Sequence, residues 1–138
     1  MTRACYDPTT LPRPGDVVWC NFPYREMPGK PGPKPRPAIV RAVFLNRRSG
    51  RSSVEVAFGT SQKTDKLYKG EVLVATPSGM RAAGLDLPSK FDLGRAVRLP
   101  WARAFFTIIP GGGRLVMGSL HPADMTALQR AARALAEP

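Results

Sequence analysis

Histidine occurs once and cysteine twice in this 138-residue chain. Cys5 and Cys20 form no CxxC pair and His121 stands alone, so neither a structural zinc site nor a disulfide framework fits. An acid–base mechanism that needs two histidines is excluded on the same count. Long apolar runs are missing too. None approaches the roughly 20 residues that span a bilayer, and no apolar stretch of leader-peptide length follows Met1. The expectation is a soluble, cytoplasmic protein with no membrane partner, no metal and no cofactor. Acids are also scarce: 10 stand against 21 lysines and arginines, a net charge of +11. That imbalance calls for a polyanionic partner, nucleic acid foremost.

Turn-forming sequence, by contrast, is plentiful, with 15 prolines and 13 glycines beside 43% hydrophobic residues. A chain of this length buries about two-thirds of its unfolded surface in a single domain. Residues 1–14, with Pro8, Pro12 and Pro14, read as an irregular or mobile arm. Residues 16–22 place Val18, Cys20 and Phe22 on one face and Val17, Trp19 and Asn21 on the other, which is a first strand. A second strand is predicted over 37–44, followed by a polar turn at 46–53 holding three arginines. The third, at 53–58, alternates Val54, Val56 and Phe58 with Ser53, Glu55 and Ala57. A fourth is predicted at 71–75, a short helix around 80–83, and two more strands at 92–100 and 105–109. Glycines force a turn at 111–113.

At the far end Pro122 suits the first helical position and Asp124 the first turn. Met125, Leu128, Ala132 and Leu135 recur at helical spacing, an apolar stripe suited to core packing. His121 precedes that proline and reads as a helix cap, not a catalyst. The predicted fold is mainly β: a small, strongly bent antiparallel sheet or partly open barrel closed by a C-terminal helix. No internal repeat or second domain is visible.

Residues 23–37 carry six prolines and two glycines, so they hold neither a helix nor a central strand and form a loop. From Arg25 to Arg51 there are eight bases and one acid, Glu26. Phosphate contacts from such a segment supply salt-sensitive affinity, and aromatics beside it stack unpaired bases. Tyr24, Tyr68 and Trp101 are the stacking candidates. The alternating Pro31, Pro33, Pro35 and Pro37 also fit a ligand for a proline-binding module, a reading disfavoured because the segment joins two strands.

PGDVVWCNFPY at 14–24, a basic loop and KPRPAIV at 34–40 together resemble the opening of the PemK/MazF family of toxin endoribonucleases. VEVAFGTSQ at 54–62, AVRLPWAR at 96–103 and the closing segment 113–135 resemble that family's later elements in the same order. The resemblance spans residues 14–137 and rests on order and spacing. It implies a small SH3-like barrel, a homodimer, and metal-independent, sequence-selective cleavage of single-stranded RNA by attack of the substrate's own 2′-hydroxyl. It also implies an acidic antitoxin as protein partner.

Residue by residue, the resemblance makes Arg36 the stabiliser of phosphate charge and Thr60 a hydrogen-bond donor to the phosphate, with Ser61 beside it. Arg98 matches a basic residue that some members use as acid or charge partner, although Pro100 stands where they carry an acid. Glu26 is the only acid in the first loop and a catalytic candidate, but it lies ten residues before Arg36, whereas the family carries its Glu a few residues before the Arg, so the identity of the proton acceptor stays open. RNA contacts are expected from Arg25, Lys30, Lys34, Ser61, Gln62, Lys63, Lys66 and Trp101. Two other readings stand beside this one: a topoisomerase-poisoning toxin of the same fold, and a non-catalytic RNA-binding module.

Overall fold

The computed structural model describes residues 5–109 and 113–137. Six strands form one antiparallel sheet: β1 (Asp16–Cys20), β2 (Arg36–Asn46), β3 (Arg51–Thr60), β4 (Glu71–Val74), β5 (Ser89–Pro100) and β6 (Val116–Ser119), in the order β4-β5-β3-β2-β1-β6. Two helices accompany them, α1 (Pro77–Ala83) and α2 (Pro122–Ala136). The mainly β, antiparallel expectation is met at that level, and among the described residues no helix is long and apolar enough to cross a membrane.

Both faces of the sheet are apolar, which is why β1 and the first half of β2 read as nearly unbroken hydrophobic runs. On one face Val18, Cys20, Ala38, Val40, Val54, Val56 and Leu99 pack with Trp101, Phe105 and Phe106. On the other, Val17, Ile39, Val74 and Phe91 meet Met80 of α1 and Met125 and Leu128 of α2, while Ala127, Ala131 and Ala132 lie over Ala57, Val72 and Leu93. The stripe predicted on the C-terminal helix is core packing. Leu135, its last member, covers Gly70, where a Cβ would come within 2.7 Å of the leucine.

Both helices begin as their sequences require. Thr76 accepts from the Gly79 N–H at 3.0 Å and Pro77 follows it; the left-handed Gly84 ends α1. His121 Nδ1 accepts from the Ala123 N–H at 3.2 Å, the capping role expected of it. Asp124, in the first turn of α2, has one carboxylate oxygen buried without a partner among the described residues, next to Gly79 of α1. Burial pushes its pKa above the ordinary 3.8, with nearby His121 pulling it back. A carboxyl raised in the folded state binds its proton more tightly there, so its contribution to stability is lost as pH climbs above 3.8. Asp124→Asn should therefore raise the unfolding midpoint relative to the parent at neutral pH, and that difference should shrink in acid. Unfolding midpoints compared across pH check both statements.

One expectation fails. The sixth strand is not 105–109, where Phe106 makes only an isolated bridge to Cys20 and the Thr107 N–H donates to the Trp19 carbonyl at 3.0 Å. It is β6, paired with β1. Gly118 weakens β6 as a sequence signal, yet the glycine is required: a Cβ there would come within 2.3 Å of the Ala82 carbonyl, where α1 crosses the strand. The N-terminal arm, as far as it is described, is irregular, and it is docked. Cys5 bridges to Ala102, the Tyr6 hydroxyl donates to the Phe106 carbonyl at 2.6 Å, and Pro8–Thr10 forms a 3-10 turn over Trp101. The predicted glycine turn at 111–113 falls largely outside the described residues.

Candidate nucleic-acid interface

Two strand ends build the site. Ala38 pairs with Phe58 at the end of the β2–β3 ladder, and two residues further along each strand Arg36, the first residue of β2, and Thr60, the last of β3, line the same hollows. Gly59 makes the approach possible, since a Cβ there would lie 2.5 Å from the Phe91 ring and 2.7 Å from the Pro37 carbonyl. The Thr60 hydroxyl oxygen accepts from the Gln62 N–H at 3.0 Å, which leaves its hydrogen free to donate. Arg36 is exposed, its guanidinium open to a ligand.

Arg36 and Thr60 line two neighbouring hollows. The first is walled by Phe22, Tyr24 and Phe58 and rimmed by Lys34, Arg36 and Arg95. Phe22 and Phe58 meet edge to face at 5.3 Å, and the Arg95 guanidinium carbon sits 5.3 Å from the Phe58 ring centre. Arg95 reaches this place because β5 bulges. Ala96 pairs with Ala57 but Asp92 pairs with Phe58, so Leu93, Gly94 and Arg95 are extra, and Asp92 holds the bulge by accepting from the Gly94 N–H at 2.9 Å. The second hollow, of about 510 Å³, adds Trp19, Leu85, Leu87 and Met117 as apolar walls and Asp86 as its carboxylate.

The loop after Thr60 is held from below. Lys90, 6% exposed, donates from Nζ to the Lys66 carbonyl at 2.9 Å and to Glu71 Oε1 at 3.2 Å, and the same Glu71 oxygen accepts from the Tyr68 N–H at 2.7 Å. A buried lysine so satisfied fixes Lys66 and Tyr68 relative to the sheet. Cys20, opposite Arg36 in β1, is buried, and burial pushes its thiol up to about 12. It carries no thiolate near neutrality and is no nucleophile.

Of the residues singled out in the sequence, Arg36, Thr60, Ser61, Gln62 and Lys34 line these hollows. Arg25, Glu26 and Lys30 lie exposed on the 21–35 loop and line neither one; Lys63 and Lys66 are exposed on the next loop. Tyr24 and Tyr68 are exposed, 53% and 66%, and free to stack. Two expectations are corrected. Trp101 is fully buried and donates from Nε1 to Thr10 Oγ1 at 3.0 Å, so it offers no face to a base. Arg98 stands opposite Glu55, about 16 Å along β3 from Thr60, so it does not share the site of Arg36. Arg95 and Asp86 are the charged residues that sequence reasoning missed. Gly94 inside a strand was the one signal for the bulge; nothing in the local sequence marked Asp86.

Neither a protein-family model nor a curated protein matches the chain. The chemistry of the site therefore rests on its own residues.

Proposed function

We propose that the protein is a metal-independent endoribonuclease that cuts single-stranded RNA at the junction of β2 and β3, with the role of toxin in a toxin–antitoxin pair. The observation that carries this reading is the meeting of Arg36 and Thr60 at one strand junction, between aromatic walls and a basic rim. A cut by the substrate's own 2′-hydroxyl needs little from the protein beyond holding the phosphate in line, stabilising its added charge and moving protons. Arg36 presents a planar fork to two phosphate oxygens, and Thr60 donates to the same group. Phe22, Tyr24 and Phe58 offer apolar and stacking surface to the flanking bases, and Lys34 and Arg95 hold neighbouring phosphates.

The proton acceptor in this reading is Asp86, which shares a hollow with Arg36 and Thr60 as Glu26 does not. Asp86→Asn should abolish the rise of cleavage with pH that a carboxylate base imposes, whereas Glu26→Gln should leave the profile unchanged. The SH3-like barrel, cytoplasmic location, homodimer and acidic antitoxin belong to the same proposal. They are supported by the order of motifs along the chain and by a +11 charge suited to RNA and to an acidic partner. Incubating a defined single-stranded RNA with the protein in EDTA tests the nuclease directly. Products ending in a 2′,3′-cyclic phosphate are expected; their absence defeats the reading, and RNA bound but uncut would mark a non-catalytic binding module.

A further inference from the structure

The far end of the β2–β3 hairpin carries charge that the cleft does not use. Arg47, Arg48, Arg51 and Arg98 line one open hollow there, and no acid lines it with them. The nearest acid in register is the half-buried Glu55, opposite Arg98, yet among the described residues no ion pair joins them. Arg98 instead stacks on Phe44, its guanidinium carbon 3.8 Å from the ring centre, and donates from Nε to Ser53 Oγ at 2.8 Å. That fixes the fork and leaves its outer N–H groups free.

The tip is fixed as well. Asn46 Oδ1 accepts from the N–H groups of Arg48 and Ser49 at 3.0 and 3.3 Å, the Gly50 N–H donates to the Asn46 carbonyl at 2.8 Å, and Ser49 Oγ accepts from the Arg51 N–H at 3.1 Å. The backbone of Arg48 and Arg51 is thus held before any ligand arrives. Ser52, 8% exposed, lines the same hollow, and among the described residues its buried hydroxyl has no hydrogen-bond partner. Phe44 and Leu45 remain 36% and 48% exposed beside these charges.

We propose that this hairpin end is a second docking surface for single-stranded RNA, gripping backbone phosphates with Arg47, Arg48, Arg51 and Arg98 and stacking a base against Phe44 or Leu45. The proposal rests on the RNA reading above and extends it. Arginines without acids match a polyphosphate, and arginine over an aromatic ring is a platform that bases tolerate without regard to sequence. A second copy of the chain is disfavoured as occupant, because it would set arginines against arginines. The hairpin end lies about 30 Å along β3 from Thr60, so one extended RNA touches both places only if it is long enough. The surface thus increases affinity for long substrates and leaves the chemical step alone.

The test is binding of uncleavable 2′-O-methyl RNA, followed by fluorescence anisotropy between about 50 and 200 mM KCl. For an oligomer of about 20 nucleotides, the triple variant R47Q/R48Q/R51Q should lower the slope of log K against log salt by about 2, since each single-strand phosphate contact contributes about 0.7. A tetranucleotide, too short to span both sites, should bind the cleft of parent and variant alike. All three positions are exposed, and an unchanged unfolding midpoint shows that the fold is retained. An unchanged slope for the long RNA overturns the proposal. So does polyglutamate binding that depends on these arginines while RNA binding does not, which would assign the surface to an acidic protein. Because the RNA is uncleavable, the result stands apart from whether the protein cuts.

Discussion

Arg36→Ala should reduce RNA cleavage by at least about a hundredfold while leaving the unfolding midpoint where it was. Removing one donor aimed at developing negative charge costs about 10²–10³ in rate, and Arg36 is placed to be such a donor. The side chain is exposed at the start of β2 and contributes nothing to either apolar face, so a stability change beyond about 0.5 kcal/mol is not expected. The effect should fall on the rate far more than on affinity for uncleavable RNA, because Lys34, Arg95 and the aromatic walls still bind the ground state. Arg36→Lys keeps the charge but loses the fork, and should recover only part of the rate. Single-turnover cleavage beside anisotropy on the same variants separates the two effects. Near-normal cleavage by the alanine variant would remove Arg36 from the chemistry and with it the assignment of the site.

What was legible in the sequence followed from periodicity. Period-two alternation at 53–58 and the apolar runs at 16–22 and 37–44 identified β1, β2 and β3, because the buried faces of a sheet impose that spacing directly. The junction of Arg36 with Thr60 was suggested only by a resemblance in motif order, since strand register decides which ends meet and no local signal encodes register. β6 was hidden by Gly118, whose absent side chain serves the crossing helix, not the strand. Arg95 and Arg98 exchanged significance for a similar reason. Three residues of bulge send Arg95 to the Phe58 ring, while Arg98, three positions on, stays in the regular ladder and faces Phe44. Exposure was the hardest property to infer: an aromatic between prolines and arginines, as Trp101 is, looks identical whether it stacks on a base or fills a core.

That ambiguity makes Trp101 a decisive position. Trp101→Ala should cost about 3–5 kcal/mol, the range for truncating a large buried aromatic. The side chain has no exposed surface, its ring lies 4.7 Å from Phe106 and 5.6 Å from Tyr6, and its indole N–H holds Thr10. Truncation would therefore open a cavity where the N-terminal segment closes one face of the sheet, and would remove the indole N–H that ties Thr10 to it, leaving the Thr10 hydroxyl only its bond to the Asp7 carbonyl. Trp101→Phe keeps most of the ring contacts and should lose about 1 kcal/mol for the hydrogen bond together with a smaller packing penalty. Urea unfolding of the two variants gives the ordering parent, phenylalanine, alanine, and RNA affinity measured well below each midpoint should be the same for all three. A Trp101→Ala protein that unfolds like the parent but binds RNA more weakly would reverse the picture, placing the ring at the interface and leaving that face of the core to Phe105, Phe106 and Leu99.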